Sequence, residues 1–280
     1  MKKILMATDL TARSDRALQR AVMLAHEFAA KLKILHIVDE SLLESVTLQH
    51  EAAAKSAIAA QVAALPLAVD LSISQDVIRG FDFCDISVRA TEFEAELIVL
   101  GIHRHKTRGL FQGTTAERVV RYGTLPVLVV KDTPREAYKR VLVAADLSEH
   151  SHAAIALAAK IAPKGDIYLL HAAHRPFTAF LGREAQNQLI RDERTRISAE
   201  IDKVTQRLAS ELGTATPRFE ILFKEGDVRR VIRDQVTALK PDLLAVGTHG
   251  RTGLAHLIIG SVAEDLLADA PVDVLAVKAT

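Results

Sequence analysis

The residues of this sequence best suited to chemistry lie in a glycine-rich segment of its C-terminal half. Two residues separate Gly247 from Gly250, and nine more separate Gly250 from the pair Gly260-Ser261. Glycines permit positive φ angles and a close backbone approach, and the free N–H groups at a helix start point at an anion. Because the segment follows a predicted strand and precedes a predicted helix, it predicts a phosphate-binding loop. The alternative is that the glycines serve only as turns and caps.

An N-terminal counterpart of this loop departs from the pattern at two places. Arg104 stands where the second glycine is expected, and eight residues instead of nine separate it from Gly113. Its Cβ and long side chain occupy space that the C-terminal loop leaves open. We therefore predict a degenerate first site, with the residues Asp9, Gly101, Gly113 and Thr114. The alternative is a basic loop that holds an anion through the side chains of Arg104, His105, Lys106 and Arg108.

Signatures of other phosphate sites and of covalent catalysis are absent from the sequence. No Gly-Lys-Ser or Gly-Lys-Thr follows the glycines, G-x-G-x-x-G does not occur, and no Gly-x-Ser-x-Gly elbow presents a nucleophile. Slow ATP hydrolysis stays open, because phosphoryl transfer needs mainly positioning and charge stabilisation. No water-activating carboxylate is evident, so we assign no catalytic residue.

The sequence contains an internal repeat, so the same fold is expected twice. Each copy of the fold must position one of these loops. Residues 4–10 (ILMATDL) return as residues 141–147 (VLVAADL), and each run is followed by a serine at the same distance. Residues 113–117 (GTTAE) return as residues 260–264 (GSVAE). The two glycine-rich segments are therefore equivalent parts of two copies of one structure.

Within each copy, short continuous runs of Val, Ile and Leu alternate with segments of helical spacing. Such runs are typical of strands buried on both faces of a parallel sheet, and the alternation implies right-handed crossovers. We predict an α/β fold of two tandem doubly wound, Rossmann-like domains, each with a five-stranded parallel sheet. The first-copy strands are predicted at 3–8, 33–38, 70–77, 97–101 and 127–130. A charged linker that contains a proline predicts the domain boundaries 1–135 and 136–280.

The duplicated copies, the aspartate that ends each first strand and the segment GTHGRTGL at 247–254 resemble the universal stress proteins of the UspA superfamily over essentially the whole chain. The resemblance implies an adenine nucleotide alpha hydrolase-like fold and an ATP site in the second domain, and it leaves open a Mg²⁺ ion that bridges the phosphates. It assigns adenine to Asp146 and Ala173, with Ala144 and Ala145 beside them. It assigns phosphate and ribose to Gly247, His249, Gly250, Gly260, Ser261 and Val262, and it includes Val246 among the ATP-binding residues. The alternative for His249 is a loop residue of which only the backbone matters.

From this resemblance we expect an ATP-binding protein that acts as a nucleotide-dependent regulator of the stress response. Two alternatives stay open, a slow Mg-dependent ATPase and a nucleotide-free protein-interaction scaffold. The last strand of each copy, at 127–130 and 274–277, is an apolar edge that needs a partner. These edges are expected to pair across a homodimer or with each other within the chain.

The composition argues against several classes of partner. Lys and Arg number 36 against 35 Asp and Glu, and a net charge of +1 supplies no field that attracts nucleic acid or an anionic membrane. No run approaches the roughly 18 apolar residues that span a bilayer. The single cysteine, Cys84, cannot form an internal disulfide. We therefore expect a cytoplasmic protein with no nucleic-acid or membrane partner.

Three further features carry expectations of their own. Cys84 is expected to be a small buried apolar residue. His36 and His171 occupy equivalent second-strand positions, and we expect a shared packing or cavity-wall role rather than metal binding. For the apolar segment 176–181 (PFTAFL), three roles stay open, namely a lid, a partner contact and plain packing.

Overall fold

The computed structural model describes residues 1–39, 44–102, 113–173, 183–249, 260–269 and 272–279. Strands and helices alternate through both copies of the repeat, which confirms the predicted α/β class. The first copy contains β1 Lys3–Thr8, α1 Ala12–Phe28, β2 Lys31–Asp39, α2 Glu44–Ala63, β3 Ile73–Gly80, α3 Asp82–Glu92, β4 Leu97–Gly101, α4 Thr115–Tyr122 and β5 Val127–Val130. The second copy contains β6 Arg140–Ala144, α5 Glu149–Ile161, β7 Asp166–Ala173, α6 Arg183–Leu212, β8 Arg218–Glu225, α7 Val228–Leu239, β9 Leu243–Gly247, α8 Ser261–Ala268 and β10 Asp273–Val277.

By its contacts the chain divides into two compact units, each described here by itself. In the first unit the strand order is β3-β2-β1-β4-β5, and all these neighbours run parallel. In the second unit β9, β6, β7 and β8 are neighbours in that order and are also parallel. The strand order reverses between β1 and β4, and between β6 and β9. Folds of this class bind their ligands at the carboxyl ends of the strands beside such a reversal.

The division by contacts differs from the division by repeat. The first unit holds residues 1–137 together with 264–276, so it includes part of the second copy. Within it, β10 pairs antiparallel with β5. The sequence analysis offered two partners for the last strands, a second copy of the chain or each other. The structure shows the second arrangement, in which β5 and β10 pair and cover each other's edges. A homodimer stays a prediction, and the boundary at 135–136 stays a proposal about the repeats.

The strands supply most of the core. Every residue of β4, β5 and β10 is buried, whereas β3 and β8 are partly exposed along their whole length. Full burial is the expected state of a sheet covered on both faces, and it explains why β4, β5 and β10 read as continuous apolar runs. Within the described residues, none of the helices combines the length and apolarity that a membrane crossing requires.

β3 begins later than the sequence predicts, at Ile73 instead of Asp70. A short 3₁₀ turn at Pro66–Ala68 and the bend that follows it occupy the intervening chain. Proline suits the first turn of such a helix because its φ is already restricted and it has no N–H to satisfy.

Gly101 and Gly247 end the fourth strand of each copy, and packing requires that they have no side chain. A Cβ at Gly247 would lie 2.8 Å from both the carbonyl carbon of His150 and the amide nitrogen of Ser151, in α5. A Cβ at Gly101 would lie 3.0 Å from the carbonyl oxygen of Arg13, in α1. These contacts are with backbone atoms, which cannot rotate away. The two glycines therefore let the first helix of each copy begin directly beside the end of its fourth strand.

We predict that Gly247→Ala lowers the free energy of unfolding by about 1–3 kcal/mol, because the added methyl overpacks against backbone. Gly101→Ala is expected to cost less, since its closest contact is longer. Urea denaturation at 25 °C measures both. Gly213→Asn is the control, because a Cβ at Gly213 meets nothing within 4 Å and its φ of 58° lies in the left-handed region that Asn tolerates. A Gly247→Ala protein as stable as the wild type would contradict the packing explanation.

Candidate functional site

A cavity of about 250 Å³ opens in the second unit at the carboxyl ends of β6 and β9. Its wall includes every residue predicted for the second site except Ala173 and Gly250. The predicted residues in the wall are Ala144, Ala145, Asp146, Val246, Gly247, His249, Gly260, Ser261 and Val262. Ala173 is buried beside the cavity, and its carbonyl accepts a hydrogen bond from the Gly226 amide at 3.1 Å. Gly250 lies outside the described residues.

Some residues of the wall were missed by the sequence analysis. They are Leu170, Ala172, Val228, Ile232 and Ala263. Val228 and Ile232 lie one turn apart at the start of α7, where the Asp227 side chain caps the helix by accepting from the Arg230 amide at 3.0 Å. Their spacing is a recognisable signal of one helix face. Nothing in that spacing identifies the cavity that the face meets, which depends on how α7 packs on the sheet.

Asp146 is held by the turn that starts α5. Its Oδ1 accepts hydrogen bonds from the Ser148 amide at 2.9 Å and from the Ser148 hydroxyl at 2.6 Å. Ser148 is the N-cap of α5, and its Oγ also accepts from the Ser151 amide at 3.2 Å. The same Oγ lies 3.2 Å from the His249 carbonyl oxygen, after the end of β9. One serine therefore fixes the aspartate, the helix start and the neighbouring loop relative to one another.

His171 and His36 form equivalent walls of the two units. The Nδ1 of His171 lies 2.7 Å from the Ala145 carbonyl oxygen, and the Nδ1 of His36 lies 2.8 Å from the Thr8 carbonyl oxygen. Because a carbonyl can only accept, we assign the proton to Nδ1 in both rings. His171 also stacks on Phe223, with ring centroids 5.7 Å apart. Both histidines line their cavities, which confirms the predicted shared wall role.

The start of α8 forms one end of the second-unit cavity. The Gly260 amide donates to the Thr248 carbonyl at 2.7 Å, and this bond brings the end of β9 to the start of the helix. A Cβ at Gly260 would lie 3.3 Å from the same carbonyl oxygen, a tight contact. Ser261 begins the helix with an exposed side chain. A helix N-terminus carries partial positive charge and N–H groups without helical partners, so this end of the cavity favours an anion.

The first unit has a cavity of about 340 Å³ at the equivalent position, between the carboxyl ends of β1 and β4. Asp9 and Gly101 line it, as predicted, whereas Gly113 and Thr114 are not among its described wall residues. The Asp9 Oδ1 accepts from the Thr11 amide at 3.0 Å and also from the hydroxyls of Thr11 and Ser14. The basic residues 104–108 lie outside the described residues.

Thr114 instead caps α4 in a reciprocal arrangement with Glu117. The Thr114 hydroxyl accepts from the Glu117 amide at 3.2 Å, and the Glu117 Oε2 accepts from the Thr114 amide at 2.9 Å. Both side chains are buried. This capping box supplies a carboxylate of the chain itself to the N-terminus of α4. The first copy therefore already places an anion where the equivalent helix of the second copy is open.

His150 packs beside the second-unit cavity. Its ring meets the His249 ring edge-on, with centroids 4.8 Å apart, and its Nδ1 accepts from the Ala279 amide at 3.0 Å. Burial lowers the pKa of His150 from its ordinary value of 6.5, and the positive charge of Lys278 lowers it further. The carboxylates of Glu149 and Asp146 oppose this shift in pKa. The ring is therefore held in its neutral form, which the acceptor role of Nδ1 requires.

Two observations concern metal-ligating and reactive side chains. Among the described residues, no three His, Cys, Asp or Glu side chains lie close enough together to hold a metal ion. Cys84 was expected to be buried, and this was wrong, because its side chain is exposed on α3. Helical spacing places a residue on a face, but the packing of α3 decides whether that face meets the sheet or solvent.

Comparison with known proteins gives a consistent result. The model described as "Universal stress protein family" matches residues 1–131 and again residues 137–278. Universal stress protein A homolog 1 of Coxiella burnetii is 33% identical over 142 residues, which cover 50% of this chain and 96% of that protein. A universal stress protein of Thermus aquaticus is 29% identical over 142 residues, covering 50% of this chain and 99% of that protein. Each of these relatives corresponds to half of this chain.

A solved structure supports the arrangement of the whole chain. The crystal structure of a universal stress protein from Archaeoglobus fulgidus matches 99% of this chain and 98% of its own, with a TM-score of 0.72 and 17% sequence identity. At that identity the similarity concerns the fold. Together with the two family matches, it confirms the tandem architecture predicted from the repeat.

We predict that His150 makes stability fall as the pH falls. A folded-state pKa below the unfolded value means that the folded protein binds fewer protons, so the contribution is complete above pH 6.5. It is lost as the pH falls through 6.5 toward the lowered pKa. His150→Gln should therefore lose less unfolding free energy than the wild type between pH 7.5 and 5.5 in urea titrations. An NMR titration that places the His150 pKa at or above 6.5 would contradict this assignment.

Proposed function

The chain belongs to the universal stress protein family, and we propose that it binds ATP in the cavity of its second unit and acts as a nucleotide-dependent regulator of the stress response. The proposal is based on residues that are distant in sequence and lie together in the wall of one cavity. The ends of β6 and β9 and the start of α8 contribute to one cavity at the reversal of strand order. Such a position is the usual ligand site of doubly wound folds.

One part of this cavity suits an adenine ring. Its wall there consists of aliphatic side chains, among them Leu170, Val228 and Ile232. A flat apolar ring gains free energy by leaving water for such a wall. The Asp146 carboxylate, oriented by Ser148, is the proposed acceptor for the adenine amino group. Ala172 belongs to the cavity wall. We therefore propose that backbone groups near Ala172 and Ala173 form the second contact with adenine.

The other end of the cavity suits phosphate. The N–H groups of Ser261 and Val262 at the start of α8 are the proposed donors, and the helix dipole adds to their attraction. Gly260, whose amide donates to the Thr248 carbonyl, would permit a close backbone approach. The Ser261 hydroxyl is exposed at the same place. Gly247 would contribute to ribose and phosphate binding through its backbone, although packing against α5 already requires it to be glycine. The two explanations are compatible, since both need a close backbone approach.

A Mg²⁺ ion fits this proposal only as a companion of the nucleotide. Protein sites commonly bind Mg²⁺ through one or two carboxylates and the substrate phosphates, and seldom through a complete set of side chains. Asp146 is a carboxylate of the cavity wall, but the described residues provide no ready-made ligand set. When bound, the ion would neutralise phosphate charge. The residues of this chain would bind and orient the nucleotide without it.

We further propose one ATP for each chain. The first-unit cavity is as large as the second, but the N-terminus of α4 is occupied by the Glu117 carboxylate. A nucleotide phosphate there would have to displace a buried, hydrogen-bonded anion. The first unit thus retains the wall of the site and lacks a free anion-binding end.

Regulation would follow from contacts on both sides of the glycine-rich loop. A nucleotide that touches Gly247 and Ser261 interacts with both ends of the intervening segment. A partner that recognises this part of the surface would then distinguish the loaded from the empty protein, by the difference in nucleotide affinity between the two states. We propose cytoplasmic action through such a protein partner.

Counting the bound nucleotide tests the proposal. Purified protein is saturated with Mg-ATP, desalted and denatured, and released nucleotide is identified and counted by chromatography and mass spectrometry. We expect about one ATP per chain. Ser261→Glu should weaken ATP binding by at least about a hundredfold, because like charges brought together at a site cost several kcal/mol. The helix should persist, since an acidic residue in its first turn is favourable.

Thr115→Glu is the matched control, because Thr115 begins the equivalent helix of the first unit. It should leave the count of ATP unchanged. Two nucleotides per chain would show that the first site is functional. No nucleotide in the wild type would exclude the proposal in favour of a scaffold. Steady Mg-dependent release of ADP, lost in Ser261→Glu, would make the protein a slow ATPase.

A further inference from the structure

The two equivalent helix starts treat their glutamates differently. Thr114 and Glu117 of the first copy correspond to Ser261 and Glu264 of the second, and both pairs have the spacing of a capping box. In the first copy the box is formed, and only 6% of Glu117 is exposed. In the second copy the Glu264 Oε1 accepts a hydrogen bond from the Nη2 of Arg121 at 3.0 Å. Among the described residues, Arg121 is the sole hydrogen-bond or ion-pair partner of Glu264.

Arg121 of the first copy has no equivalent arginine in the second copy. It lies near the end of α4, and the residue at the equivalent position of α8 is Ala268. The side chains of Arg121 and Glu264 are 32% and 46% exposed, so solvent screens their attraction and the pair is a weak one.

A capping carboxylate and a phosphate compete for the same groups. Each accepts from the N–H groups of the first helical turn, and each is stabilised by the positive end of the helix dipole. The contact of the Glu117 Oε2 with the Thr114 amide, at 2.9 Å, shows what Glu264 would do at Ser261 if it were released. Capping of the helix start and the contact with Arg121 would stabilise the Glu264 side chain by similar, modest free energies. Loss of the Arg121 contact is therefore enough to favour the capping position.

We propose that Arg121 is a positioning residue that keeps the nucleotide site open by holding Glu264 away from the start of α8. This rests on the proposed function, because the anion with which the Glu264 carboxylate would compete is the ATP phosphate. Arg121 would not touch the nucleotide. Its effect would pass through Glu264. The first copy, in which the equivalent Glu117 caps its own helix, shows the arrangement in which a carboxylate occupies the helix start.

Nucleotide affinity in a set of variants tests the proposal. Isothermal titration with Mg-ATP compares the wild type with Arg121→Met, Glu264→Ala and the double variant. Arg121→Met should weaken binding about fivefold to tenfold, the range expected when a carboxylate occupies a helix start. Glu264→Ala should bind at least as tightly as the wild type. The double variant should recover the affinity of Glu264→Ala, and Arg121→Lys should stay near the wild type.

Arg89→Met is the matched control. It removes an exposed pair of the same kind, in which the Arg89 Nη1 contacts the Glu92 Oε2 at 2.9 Å on α3. Its affinity for ATP should equal that of the wild type. A weak double variant would overturn the proposal, because the loss would then come from Arg121 itself. An Arg121→Met protein with wild-type affinity would also overturn it and would leave the proposed function intact.

Hydrogen exchange separates this proposal from the proposed function. The Ser261 amide should exchange more slowly in Arg121→Met than in the wild type, both without nucleotide, because the released Glu264 accepts from it. The Glu264→Ala change should abolish that protection. If the wild type binds no ATP, the proposed function fails, and the exchange rates still decide whether Arg121 positions Glu264. Equal exchange rates in Arg121→Met and the wild type would overturn the inference.

Discussion

The close contact between the first helix and the fourth strand is the constraint on which the rest of the structure depends. At Gly247 the backbone of the strand approaches the backbone of α5 to a distance that excludes even a methyl group. This contact places the start of the helix beside the ends of β6 and β9. The turn that carries Asp146 and Ser148 is thereby brought to the loop at His249. The cavity is the space that these short, hydrogen-bonded connections leave at the edge of the sheet.

The two copies show how one scaffold can differ in ligand preference without a change of fold. Both retain the aspartate at the end of the first strand and the histidine that contacts a carbonyl at 2.7 to 2.8 Å. They differ at the helix that follows the loop, where Glu117 caps its own N-terminus and Glu264 contacts another helix. A helix start favours an anion through its N–H groups and its dipole, and a carboxylate of the chain and a bound phosphate compete for it by their relative affinities. Under the proposal made above, this competition would determine which copy offers an anion site.

The last strands contribute more than a covered edge. The buried Asp273 accepts from the amides of Lys131 and Asp132, and Arg20 lies 3.7 Å from it and is also buried. Burial of two opposite charges is tolerated when hydrogen bonds compensate the lost hydration. After Asp273 the chain continues to the Val277 carbonyl, which accepts from the Thr248 amide at 2.9 Å. The fixed last strand thus supports the loop that leads into the cavity.

The amino-acid sequence alone determined the α/β class and the repeat, because hydrophobic periodicity and glycine spacing are local signals, and the family resemblance identified most residues of the second-site wall. The sequence analysis did not identify Val228 and Ile232 as wall residues, and it misjudged the exposure of Cys84, since helix packing decides which faces meet. Tertiary structure alone decided that Glu117 caps its helix and Glu264 does not. The local sequences there are equivalent, but Glu264 contacts Arg121, which is distant in sequence and close in space, so only the folded chain can distinguish the two.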